Sequence, residues 1–194
     1  MSRSDVQAAP IRRAFPPVLG EAPRLLILGS MPSEASLAAQ QYYGHPRNAF
    51  WPIMAQLLGL PAGTDYAGRA QALRDHCIAL WDVIAACARP GSLDADIRPD
   101  TVQVNDFAAL LAAHPSIRCI AFNGGTAERE FRRRVLPTLT KPHAGIERLR
   151  LPSTSPAHAG MPFEEKLAAW GVILEKIRED RAEARAPAAR PRNT

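Results

Sequence analysis

Short apolar runs alternate with amphipathic stretches along this chain. RLLILG at 24–29 is unbroken by polar residues after Arg24 and ends on glycine, the pattern of a strand buried on both faces. CIALWDVI at 77–84, IRCIAFNG at 117–124 and IERLRLPS at 146–153 read as three further strands. Between them, apolar positions recur at helical spacing over about 49–58, 66–75, 106–114 and 126–135, and PFEEKLAAWGVILEKIRED at 162–180 closes the pattern with a longer helix. Strands alternating with helices predict an α/β fold with a mostly parallel sheet covered on both faces. Ligands on such sheets bind beyond the carboxyl ends of the strands. That rule nominates GSMPS (29–33), DVI (82–84), NGGTA (123–127) and PSTSPA (152–157), each rich in small or polar residues.

The flanks differ from this body. Residues 1–20 are polar and then Pro-rich, and read as a flexible N-terminal segment; residues 181–194, RAEARAPAARPRNT, read as a disordered basic tail. The folded domain is expected over 21–180. A length of 194 residues, 46% hydrophobic and 22% charged, fits one soluble globular domain with a real core. The net charge of +5 is mostly a property of the ends: residues 1–14 and 178–194 each contribute +2. Charge balance alone is therefore weak evidence for nucleic acid, because a clustered patch is the footprint that counts. The densest run in the body, Arg132–Arg134, reads as a solvated helix face. There is no signal-peptide pattern and no window that approaches a membrane span, which fits a cytoplasmic protein without membrane contact. Cys77, Cys87 and Cys119 are widely spaced with no CxxC pair, so neither a zinc site nor an iron–sulfur cluster is expected.

Each nominated segment carries a structural and a chemical reading. In GSMPS, Gly29, Ser30, Met31 and Pro32 either make a plain turn or present backbone N–H groups to an anion or a water; Ser30 is not part of a GxSxG elbow. In NGGTA, Asn123 either caps the next helix or reads the edge of a base with its paired donor and acceptor. In PSTSPA, the hydroxyls of Ser153, Thr154 and Ser155 between two prolines suit phosphate contacts or a stiff loop. A fifth stretch, YYGHPRNAFW at 42–51, holds four aromatic residues in ten. Phe50 and Trp51 open an amphipathic helix with Asn48 as N-cap and Gly59 as its stop. That account leaves Tyr42, Tyr43 and His45 unexplained.

Together, LILGSMPSEASLAAQQYYGHPRNAFW, LWDVI, FNGGTA and LPSTSPA resemble the uracil-DNA glycosylase superfamily, and most closely its hypoxanthine-DNA glycosylase branch. The matching stretches span residues 25–157 in the family's order. The resemblance implies a three-layer α/β/α sandwich with a central four-stranded parallel sheet. It also implies a monofunctional, monomeric enzyme that removes a deaminated base from damaged DNA with no metal and no cofactor. It places Tyr43 as the ring that stacks on a flipped-out base, with His45 beside it in the binding group. Gly29–Pro32 and Ser153–Ser155 would complete the binding surface, the latter pinching the phosphates.

One departure from the superfamily is informative. Most members carry Asp or Asn in the first motif to position the attacking water, and here that position is Met31. A thioether cannot orient water. The hypoxanthine branch shares this lack, and the resemblance moves part of the water-positioning role to Asn48, with Asn123 holding the leaving base. Loss of the carboxylate fits a dissociative reaction, in which stabilising the departing base matters more than a strong general base. Two alternatives remain open: a uracil-preferring enzyme of the same fold, which Met31 argues against, and a lesion-binding protein that cuts nothing.

Overall fold

The structure, a computed structural model, describes residues 10–183; the expectations for 1–9 and for 184–194 lie outside the described residues. In chain order the elements are β1 (Ile11–Arg13), β2 (Leu25–Gly29), α1 (Glu34–Ala39), α2 (Phe50–Leu58), α3 (Tyr66–Asp75), β3 (Ile78–Asp82), β4 (Ile84–Ala88), β5 (Gln103–Val104), α4 (Phe107–Ala113), β6 (Cys119–Asn123), α5 (Gly125–Glu130), β7 (Glu147–Leu151), α6 (Phe163–Trp170) and α7 (Val172–Glu183). The main sheet runs β3-β2-β6-β7 with every pair parallel. All five residues of β2 and of β3 are buried. Successive strand side chains point to opposite faces, so this burial requires cover on both sides, and the helices supply it.

The register aligns the strand ends. Gly29 pairs with Asp82, Leu28 with Phe122, and Asn123 with Leu151. The carboxyl edge of the sheet therefore reads Asp82, Gly29, Asn123, Leu151 across the four strands. The apolar pattern predicts each of these strands to within two residues.

The second predicted strand does not end in a ligand-binding loop. After Asp82 the chain takes one residue and continues as β4, and the N–H groups of Val83 and Ile84 donate to the carbonyls of Gly29 and Ser30 at 2.9 and 3.0 Å. β4 belongs to a small antiparallel sheet in the order β1-β4-β5. Within the segment expected to be loose over 1–20, the described residues from 10 onward contribute a strand to this sheet. Ile11–Arg13 pairs with Ala86–Ala88, and Val18 exchanges backbone hydrogen bonds with Leu80. The prolines do not prevent pairing along an exposed edge. At the other end α7 runs to Glu183, into the segment expected as tail.

The aromatic residues of the 42–51 stretch divide between core and site. Phe50 and Trp51 are buried at the start of α2, which ends on Gly59 in the left-handed region as its stop signal requires. Trp170 of α6 is fully buried, meets Phe50 edge-on at 5.7 Å, and donates its indole N–H to the carbonyl of Pro152 at 3.0 Å. It thereby ties the closing helix to the loop after β7. Trp170→Ala should lower the unfolding free energy by about 3–5 kcal/mol, the usual cost of emptying an aromatic site, read as a shift of the urea midpoint.

Candidate active site

A single cavity of about 880 Å3 opens at the carboxyl edge of the sheet. That is toward the large end of the ~300–1,000 Å3 typical of ligand pockets. It brings together most of the residues nominated from sequence: Gly29, Ser30, Met31, Pro32, Tyr43, Asn48, Asn123, Ser153, Thr154 and Ser155. His45 is not among the lining residues; its Nδ1 accepts from the N–H of Arg47 at 3.1 Å and its carbonyl from the N–H of Asn48 at 2.9 Å, so it shapes the turn that delivers Asn48.

The floor is built around Gly29. A side chain there would put its Cβ 2.3 Å from Asp82 Oδ1 and 3.1 Å from the Tyr43 hydroxyl, so anything larger than glycine must displace the Asp82 carboxyl. Tyr43 adopts a left-handed φ of 55° and stacks on Phe50 with ring centroids 4.0 Å apart. The residue is half-buried, but its hydroxyl is fully buried and has no hydrogen bond of good geometry among the described residues, although the Asn123 amide faces it. What Tyr43 presents to the cavity is therefore its ring. Burial, and next the charge of Asp82, push the hydroxyl's pKa well up. Tyr42 is core: its hydroxyl donates to the carbonyls of Phe15 and Pro16.

Asp82 did not stand out in the sequence. It is 3% exposed, lines the cavity, and leaves Oδ2 without a partner. Burial, and then the negative charge of Asp94, raise its pKa to about 8 against the opposing pull of Arg89. Burial thus favours the protonated form of this carboxyl, the form that can donate. The sequence signal was present: a carboxylate ending an otherwise apolar strand.

The asparagines hold different positions. Oδ1 of Asn48 accepts from the N–H of Phe50 at 3.0 Å, which sets the amide's orientation and leaves Nδ2 unpartnered. Asn48 thus helps start α2 and still offers a donor to the cavity. Asn123 does not cap α5, whose cap is Gly124 with φ 93°. Its amide is engaged twice by Thr154, donating to the hydroxyl at 2.8 Å and accepting from the backbone N–H at 2.9 Å.

The hydroxyl residues serve the frame more than the sequence pattern implied. Thr154 is 1% exposed, and its carbonyl also accepts from the N–H of Ala49 at 3.0 Å. One residue thereby locks the loop after β7 to both asparagine segments. Ser153 and Ser155 turn their own loop by accepting from the N–H groups of Ser155 and Ala157. Ser30 donates to the Asp94 carboxylate at 2.8 Å. Met31, though among the lining residues, is 7% exposed and packs with Ile84 and Cys87. Beneath this loop the fully buried Arg89 donates to the carbonyl of Pro32. Among the described residues no group of His, Cys, Asp and Glu is arranged to hold a metal ion.

Known proteins resemble this chain in sequence and fold. Two archaeal proteins named hypoxanthine DNA glycosylase are similar: that of Methanosarcina acetivorans is 42% identical over 118 residues, covering 60% of this chain and 73% of the relative, and that of Methanosarcina barkeri is 38% identical over 114 residues, covering 58% and 71%. The solution NMR structure of a candidate uracil DNA glycosylase from M. acetivorans superposes with a TM-score of 0.72 at 35% identity, over 87% of this chain and 99% of that one. The family model of the uracil DNA glycosylase superfamily matches residues 16–177, which include every strand of the main sheet and every residue of the cavity floor, and the chain belongs to that superfamily.

Proposed function

We propose that this DNA glycosylase removes hypoxanthine from DNA, with the damaged nucleotide turned out of the duplex into the cavity at the carboxyl edge of the sheet. The observation that carries the reading is the convergence of Tyr43, Asn48, Asp82 and Asn123 on one cavity. The two archaeal relatives named for hypoxanthine support the choice of base.

The chemistry follows from what each group offers. The exposed face of the Tyr43 ring stacks on the base, with Phe50 backing it from behind. Asp82, protonated at neutral pH, donates to the departing purine as the bond between its ring nitrogen and the sugar breaks and the electron pair moves onto the base. The sugar becomes oxocarbenium-like. Asn48, with Nδ2 and one Oδ1 lone pair available, orients the water that adds to the sugar carbon and then releases a proton to solvent. Asn123 fixes the loop that closes over the nucleotide through Thr154 and lends its remaining donor to the base. No lysine is among the residues lining the cavity, which favours direct hydrolysis over a Schiff-base route.

A uracil preference is the second reading, favoured by the family model and the solved relative's description. Duplexes carrying one hypoxanthine, uracil or xanthine, incubated with enzyme and then treated with alkali, separate the two. Fastest strand breakage at hypoxanthine supports the proposal. Fastest breakage at uracil supports the second reading, and no breakage in any duplex overturns both.

Asn48→Ala should cost on the order of 100-fold in single-turnover excision, as for loss of one well-placed polar group, while the melting temperature changes little. Asn123→Ala should lower both, because it strands the buried polar atoms of Thr154 at about 1–3 kcal/mol.

Asp82 supplies a pH test. Its carboxyl keeps a proton up to about pH 8 in the folded chain but only to about pH 4 when unfolded. The folded state binds more protons in between, so this group's contribution to stability is full below about pH 4 and is lost as pH rises toward 8. Excision should fall as pH rises through about 8. Asp82→Asn should abolish that fall and melt higher than the parent at pH 9. An alkaline limb unchanged in Asp82→Asn would remove Asp82 from the proposed chemistry.

A further inference from the structure

The Arg132–Arg134 run, which reads in the sequence as a solvated face, divides into two functions in the fold. After α5 the helix widens into a π turn over Phe131–Val135, closed by a hydrogen bond from the N–H of Leu136 to the carbonyl of Phe131. A wider turn brings successive side chains closer together around the axis, and such turns recur at functional sites. Phe131 and Val135 are buried beneath it. Arg134 faces the body, donating to Glu130 at 2.9 Å and to the carbonyl of Pro99 at 2.7 Å. Arg132 and Arg133 instead line the mouth of the cavity, together with Arg150 from the end of β7.

These three arginines are gathered without being neutralised. Glu128 sits between two of them, 3.5 Å from Arg132 and 3.4 Å from Arg150. Arg132 and Arg150 keep side-chain exposures of 67% and 63%, so these pairs are worth little in water and leave most guanidinium donors available. Arg133 is exposed and makes no ion pair or hydrogen bond among the described residues. One acid against three arginines leaves this edge net positive. Arg129 is a separate case, since it pairs with Glu130 at 3.3 Å and also faces Asp94.

We infer that Arg132, Arg133 and Arg150 form a phosphate-binding edge that grips the backbone of the DNA strand carrying the target nucleotide. The partner chemistry is set by the fork of guanidinium donors, which suits phosphate oxygens, and by a position at the mouth where a strand must run if its base lies inside. The inference rests on the glycosylase reading. It assigns to a helix and a strand end a role that the sequence pattern gave to the Ser153–Ser155 loop alone.

The test is the salt dependence of binding to an undamaged duplex of fixed length, read by fluorescence anisotropy. Each phosphate contact contributes about 0.9 to the slope of log K against log salt. Arg132→Ala/Arg133→Ala should lower that slope by about 2 and Arg150→Ala by about 1. The curves should converge with the parent's at high salt. Arg118→Ala, at the start of β6 on the opposite edge of the sheet, should leave the slope unaltered. An unchanged slope in the double variant, or an equal drop in Arg118→Ala, would overturn the assignment. Because no lesion is present, the result stands apart from base preference: a parent that binds with this slope yet never releases hypoxanthine would sink the proposed function and leave the edge intact.

Discussion

The site depends on a volume that Gly29 leaves empty. Strand β2 ends on this residue in the middle of the sheet, with Asp82 beside it on one side and Asn123 beside it on the other. The Asp82 carboxyl and the Tyr43 hydroxyl both press into the space a side chain would occupy, at 2.3 and 3.1 Å from its position. Two buried polar groups therefore meet at one point, and among the described residues the Tyr43 hydroxyl and Asp82 Oδ2 have no hydrogen bond of good geometry. Such orphaned groups are costly. Their persistence at the floor of a cavity, and not in the core, is what makes them candidates for contact with a ligand.

Around that point the fold is locked by polar groups on buried residues. Thr154 satisfies Asn123 twice and Ala49 once, so three segments far apart in sequence move as one body. Arg89, fully buried, holds the Pro32 carbonyl from below and lies 4.0 Å from Asp94, which in turn holds Ser30. The loop after β2 is thus held by a charged network instead of by its own turn, and Met31 is free to serve as packing against Ile84 and Cys87.

The four parallel strands were legible: β2, β3 and β6 because strands buried on both faces read as continuous apolar runs, and the edge strand β7, ERLRL, by an alternation of apolar and charged residues. The small antiparallel sheet was not. IRR and QV are too short to carry a period, and the strand predicted over 77–84 takes in only the first residue of β4, IAACA. The pairing that orders residues 11–18 is long-range and leaves no local trace. At the site, the sequence located the segments but not the assignments of their atoms. That Thr154 turns inward, that burial raises the pKa of Asp82, and that the arginine run divides between Glu130 and the cavity mouth are consequences of burial and packing. Residue type and spacing do not encode them.

Gly29→Ala tests the central claim most directly, because it adds one methyl group at the point where Asp82 and Tyr43 meet. Displacing reacting groups by as little as 1 Å can cost on the order of 100-fold. With the melting temperature and the affinity for undamaged duplex measured alongside, the account predicts single-turnover excision of hypoxanthine lowered by that order, while the variant still folds and binds DNA. A folded Gly29→Ala protein that releases hypoxanthine at the parent rate would contradict it.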